Sequence, residues 1–254
     1  MDSYPLHDLM IHDWHKNEIV GIKEGHINIL FAGCSVTAGE ALQEEDMYTR
    51  KVAKEISKIH NKDVSSDNVA VPGASVARSF DQCFQYFETH GNPDYVFLFL
   101  PDSDRDSTTI RSKAFVYLRM YHHLKVYCNS HNIKLYISTW AVDINETGKS
   151  IVPSGIREKF KLPPKKGFDW DPTIERPWWT EQIKNSKIFD LIFKNAKEYV
   201  SYTKEEMSMA VYELDKKSSH PNSLLAEDGL HPGISFHTFW ANLFMDAVRK
   251  DLEE

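Results

Sequence analysis

The stretch Asp94-Tyr95-Val96-Phe97-Leu98-Phe99-Leu100 is apolar at nearly every position, and this limits the fold more than any other feature of the chain. A strand with one wet face alternates apolar and polar residues, whereas an unbroken apolar run needs cover on both faces. Shorter runs of similar character lie at 27 to 32, 67 to 71 and 133 to 139. Between them, apolar residues recur at spacings of three and four. Met47, Val52, Ile56 and Ile59 do so within 45 to 60, and Phe115, Leu118, Tyr121 and Leu124 within 108 to 131. Residues 76 to 90 read in the same way, and a last amphipathic helix is expected from Phe236 to about Leu252. Strands that alternate with helices call for right-handed crossovers. The pattern therefore predicts a three-layer α/β/α domain with a central, mostly parallel, doubly wound sheet.

Chemistry in such a sheet collects beyond the carboxyl ends of the strands. Directly after the first run stands Gly33-Cys34-Ser35-Val36-Thr37-Ala38-Gly39. The strand fixes the backbone, the glycines permit a sharp turn, and the serine hydroxyl is left at the strand's end. Near the other terminus is Asp228-Gly229-Leu230-His231-Pro232-Gly233, in which an aspartate three residues before a histidine is placed to hold the imidazole from behind. Serine, histidine and aspartate in these settings point to acyl transfer.

With 254 residues the chain suffices for one large α/β domain or two small ones. The formal charge of -7 leaves no evident basic face, which argues against nucleic acid as a partner. No apolar stretch approaches the roughly 20 residues of a membrane span. Met1-Asp2-Ser3-Tyr4-Pro5 lacks the basic start and apolar core of a signal peptide. The three cysteines, Cys34, Cys83 and Cys128, are odd in number and widely spaced, so reduced thiols and a cytoplasmic setting are expected. Residues 1–26 read as an N-terminal arm and 27–254 as a single domain, with an insertion at about 141–180. That insertion holds Pro153, Pro163, Pro164, Pro172 and Pro177 with Trp170, Trp178 and Trp179. Its length marks it as functional or mobile. A lid or substrate wall and a segment simply packed by its tryptophans both remain open.

Taken in order, these segments resemble the SGNH (GDSL-type) hydrolase family. Gly33-Cys34-Ser35 with Thr37 and Gly39 is similar to the first family block, with cysteine where aspartate is usual. Asn68-Val69-Ala70-Val71-Pro72-Gly73-Ala74-Ser75 matches the second, and Asp228 through Pro232 the last. In the third, Pro93-Asp94 and the apolar strand are in register. The ending, however, is Pro101-Asp102-Ser103-Asp104, which puts Ser103 in the place of the family asparagine. The resemblance covers about 27 to 250 and implies an SGNH hydrolase-like, flavodoxin-like sheet.

The resemblance implies Ser35 as nucleophile, His231 as the base that takes its proton, and Asp228 as the partner that fixes the imidazole tautomer. It also implies an oxyanion hole built from the amides of Ser35 and Gly73. Ser103 would be a third, shorter donor between the wrongly signed Asp102 and Asp104. No metal or organic cofactor is implied, and His12 and His15 with Asp8 and Asp13 read as a solvated arm rather than a metal site. Cys34 is expected to be buried filling, and His237 to belong to the last helix. The expected activity is that of a serine esterase on a small-molecule or glycan ester, tilted towards carbohydrate O-deacetylation because Trp140, Trp170, Trp178 and Trp179 suit sugar rings. A catalytically impaired binding module and an acyltransferase are the alternatives.

Overall fold

The structure, a computed structural model, describes residues 19–101, 110–140, 189, 192–193, 195–220, 223–224, 226–227 and 231–254. Four parallel strands form the sheet in the order β2-β1-β3-β4. They are β1 (Ile27–Gly33), β2 (Val64–Asn68), β3 (Tyr95–Leu100) and β4 (Lys134–Thr139). Residues 198–200 continue it at the β4 edge, where the Ile137 amide donates to the Glu198 carbonyl at 2.7 Å and the Val200 amide to the Ile137 carbonyl at 2.8 Å.

Both faces of the central strands are covered, as the unbroken apolar runs require. Ile29, Phe31, Tyr95, Phe97 and Phe99 point into one core, and Leu30, Ala32, Val96, Leu98 and Leu100 into the other. On the first face lie the short α1 (Ser35–Ala38) and α2 (Tyr48–His60). On the second lie α3 (Val76–His90) and α4 (Ile110–Ser130). Two later helices, α5 (Lys204–Lys217) and α6 (Ile234–Glu253), return to the first face, and Trp240 and Phe244 of α6 meet Phe99 edge-on. The architecture is three-layer α/β/α around a parallel sheet. Among the described residues no helix is long and apolar enough to cross a membrane.

Two expectations from the sequence need correction. The second strand is not the apolar run 67–71 but the polar Val64–Asn68. Among the described residues it is the outer strand and pairs with β1 alone, so its far side needs no apolar cover. Val69, Ala70 and Val71 are buried just past its end. On α4 the buried stripe is Tyr117, Tyr121, Leu124 and Cys128, whereas Phe115 is 69% exposed and Leu118 faces outward. The stripe of α4 that faces the sheet starts two residues later than the spacing of the aromatic residues indicated. α5 was not expected at all, although Thr203 and Glu206 form a reciprocal capping box at its start. The proposed insertion at 141–180 and residues 1–18 of the proposed arm lie outside the described residues.

Residues 19–25, the described start of that arm, are tied to the sheet through a carboxylate. Asp67 is 3% exposed. It accepts hydrogen bonds from the amides of Val20 (2.9 Å) and Gly21 (2.8 Å) and from the Tyr86 hydroxyl (2.7 Å). An amide in its place would turn one acceptor into a donor facing other donors. Asp67→Asn is expected to lower unfolding free energy by about 1–3 kcal/mol, the cost of leaving a buried polar group unpaired. The check is a urea midpoint that falls at unchanged slope.

Candidate active site

The turn after β1 is built by its two glycines. Gly33 has φ 155°, and a side chain there would meet the Phe99 carbonyl 2.6 Å from an added Cβ. Gln82, buried in α3, clamps the same residue on both sides: the Gly33 amide donates to its Oε1 at 2.9 Å, and its Nε2 donates to the Gly33 carbonyl at 3.1 Å. Gly39 ends α1 in the left-handed region (φ 71°), against the thioether of Met47. Between these points Asn68 holds the turn from β2, its Nδ2 donating to the Thr37 carbonyl at 2.7 Å. Tyr48 holds it from α2 through a hydroxyl bond to Thr37 Oγ1 at 3.1 Å.

Ser35 is the first residue of α1, at the carboxyl end of β1, where the strand order switches from β2 on one side to β3 on the other. It is 6% exposed. Among the described residues its hydroxyl has no hydrogen-bond partner, and neither its amide nor that of Gly73 is engaged as a donor. Gly73 follows β2 with φ 77°, and no atom lies within 4 Å of an added Cβ, so backbone conformation rather than crowding requires glycine there. Cys34 is fully buried, and its sulfur accepts the Trp140 indole N–H at 3.3 Å. Trp140, at the end of β4, therefore stands beside the serine turn.

His231 reaches this turn from the loop before α6. Its Nε2 lies 3.6 Å from Glu40 Oε2, and Glu227 donates its amide to the Ala41 carbonyl at 3.2 Å. The loop is laced to itself by the Ala226 amide on the His231 carbonyl (2.9 Å) and the Gly233 amide on the Leu224 carbonyl (2.9 Å). Ser35 and Gly73 thus follow the carboxyl ends of β1 and β2, and His231 lies beside Glu40, which follows the serine turn. Asp228, Ser103, Trp170, Trp178 and Trp179 lie outside the described residues. Glu40, Gln82 and Asn68 had no role in the sequence reading. Glu40 had a visible signal, since it directly follows the glycine that closes the first block. Gln82 had a weaker one, as a polar residue on the buried stripe of α3.

Comparisons with known proteins add the fold's wider setting. No protein-family model matches the chain, and a search of curated proteins finds no match. Solved structures do match. A psychrotrophic esterase from Pseudoalteromonas sp., seen with monoethylphosphonate, superposes with a TM-score of 0.52 at 14% identity, over 90% of this chain and 100% of its own. An acetyl xylan esterase gives 0.52 at 15% identity, over 87% and 100%. A two-domain esterase active on acetylated mannans gives 0.54 at 17% identity, over 90% of this chain and 50% of its own. The chain has the SGNH hydrolase fold. Other neighbours include GDSL-type lipolytic proteins, among them one from Desulfitobacterium hafniense at 10% identity and TM-score 0.50.

Within the SGNH fold a second histidine backs the site. His237, in the first turns of α6, is buried and accepts the Tyr48 amide on Nδ1 at 3.1 Å. Burial, helped by the positive fields of Lys51 and His231, pushes its pKa down from 6.5 to about 3. As pH falls below 6.5, the unfolded chain takes up a proton that the folded chain refuses until about 3. His237 therefore withdraws stability across that window, at up to about 1.4 kcal/mol per pH unit. His237→Asn keeps an acceptor for Tyr48 and removes the titration. Its urea midpoint should depend less steeply on pH between 6.5 and 4 than that of the wild type; an equal slope would place the proton uptake elsewhere.

Proposed function

We propose that this chain is a serine esterase acting through an acyl-enzyme, with Ser35 as nucleophile, His231 as base and Asp228 as the imidazole's partner. The observation that supports the reading is that His231 lies beside the turn that carries Ser35. Ser35 is held at the switch point by Gly33, Gln82 and Asn68, and Glu40 of the same turn faces His231 Nε2. In the proposed reaction His231 removes the hydroxyl proton as Ser35 attacks the acyl carbon, then returns it to the departing alcohol. Water activated by the same imidazole releases the acid. The uncommitted amides of Ser35 and Gly73 are assigned to the developing oxyanion, with Ser103 as a third donor. The scheme assigns no metal or organic cofactor.

For the substrate, the reading assigns an O-acetyl ester on a carbohydrate. Its support is the position of Trp140 beside Cys34, together with the fold shared with esterases active on acetylated mannans and on acetyl xylan. A second reading, a binding module with impaired chemistry, draws on the near-complete burial of Ser35 and on its hydroxyl, which has no bond to His231.

The two readings part in one assay. The esterase should hydrolyse p-nitrophenyl acetate faster than the octanoate and take a fluorophosphonate label. Ser35→Ala should cut turnover by at least about 10⁴-fold and abolish labelling. Wild-type protein that neither turns over the acetate nor takes the label would favour the binding module.

A further inference from the structure

Four of the large apolar side chains that stand exposed among the described residues belong to one helix, α4: Phe115 at 69%, Val126 at 65%, Val116 at 40% and Leu118 at 38%. Phe115, Arg119, His122 and Val126 are spaced four, three and four apart, so they form one line along the helix, about 16 Å long at about 1.5 Å per residue. The line lies opposite Tyr117, Tyr121, Leu124 and Cys128, which α4 buries against the sheet. Val116 and Leu118 flank it, one on each side. Apolar side chains gathered on one outward face mark a contact surface, whereas single exposed ones do not.

The same face is basic. Arg119, His122 and His123 are exposed on it, and no residue from Ile110 to Ser130 is acidic. Lys125 pairs with Glu198 at 3.0 Å, whereas among the described residues no carboxylate pairs with Arg119. On a chain of net charge -7 this is a local reversal of sign. Charge decides against a second copy of the chain. An antiparallel pair of α4 helices would set Arg119 near His122 of the other copy and bring no acid to either. The placement of Arg119 decides against a protein groove. Protein interfaces keep charge at the rim and out of the apolar centre, but Arg119 stands between Phe115 and Val126 on their own line. At a lipid surface the two belong together. Apolar side chains enter the boundary of headgroups and acyl chains, and a long cationic side chain at the same depth reaches back to the phosphates.

We propose that the outward face of α4 docks this protein on an anionic lipid surface. Phe115, Leu118 and Val126 would enter the headgroup layer, and Arg119 would meet the lipid phosphates. The contact draws on no residue of the serine turn.

The test is flotation of the full chain with two kinds of vesicle, phosphatidylcholine alone and phosphatidylcholine mixed with phosphatidylglycerol. The protein should bind the mixed vesicles and much less the neutral ones. Chloride at about 1 M shortens the reach of surface charge to about 3 Å and should remove the difference. Phe115→Ser should weaken binding by about tenfold, the loss of one aromatic side chain from an apolar contact. Arg119→Gln should weaken binding to the mixed vesicles by about fivefold and leave binding to the neutral ones unchanged. Both residues are exposed, so both variants should keep the wild-type urea midpoint. The absence of binding to the mixed vesicles would overturn the proposal and leave an acidic protein as the partner that fits the face. Binding that both variants leave unchanged would overturn it too. So would a lower midpoint in Phe115→Ser, which would mean that the chain covers this face itself. A wild-type dimer that Phe115→Ser turns into monomer would also overturn it, by assigning the face to a second copy.

Discussion

The peptide unit of Gly33 is the point on which the rest of the site depends. Here the β1 ladder ends inside the protein, and a buried amide and carbonyl still need partners. Gln82 supplies both from the opposite layer, with the one type of side chain that carries a donor and an acceptor side by side. The Val71 amide adds a second donor to the same carbonyl at 3.2 Å. One residue thus fixes the end of β1, the seat of α3 and the loop that carries Gly73. The cost of breaking such a set is that of orphaned groups, about 1–3 kcal/mol each, well above the net worth of each bond. Ser35 stands two residues further on and takes its position from a joint with no slack. A side chain at Gly33 would strike the Phe99 carbonyl, so the joint also specifies its own residue.

The fold was legible wherever burial leaves a continuous signal. β3, buried at every position, was readable to within a residue, and α3 was readable from end to end. Legibility failed where burial is one-sided. β2 lies at an edge, so its sequence Val-Ser-Ser-Asp-Asn carries no apolar signature, and the eye moves on to the buried Val69-Ala70-Val71 beyond it. α4 misled for a related reason. Exposed Phe115 and Val116 supply apolar residues to its wet face, which blurs the stripe that Tyr117, Tyr121 and Leu124 bury. Of the candidate site, the residues on glycine-marked turns were visible. The residues that hold those turns were not, because Gln82 and Asn68 act across layers and no spacing in the sequence joins them to Gly33 or Thr37.

The two histidines of the α6 region show how one residue type divides into two roles. His237 is deep enough that its charged form is excluded, and a neutral imidazole is what lets Nδ1 accept from Tyr48. That bond sets the start of α2. The Tyr48 ring beside it packs on Phe31, Phe99 and Phe244, while its hydroxyl reaches Thr37 in the serine turn. His231, partly open to solvent, has an acid rather than a ring system at its Nε2. One histidine is a fixed acceptor in the scaffold; the other stands beside a carboxylate of the serine turn.

That carboxylate bears directly on the proposed chemistry. At 3.6 Å Glu40 is beyond a good hydrogen bond to Nε2, so its influence there is through its field. In the proposed reaction it would stand beside the ring that takes the Ser35 proton. Glu40 is half open to water, and its own amide donates to the Ser35 carbonyl at 3.2 Å. Its backbone is part of the serine turn, while its carboxylate reaches the loop before α6.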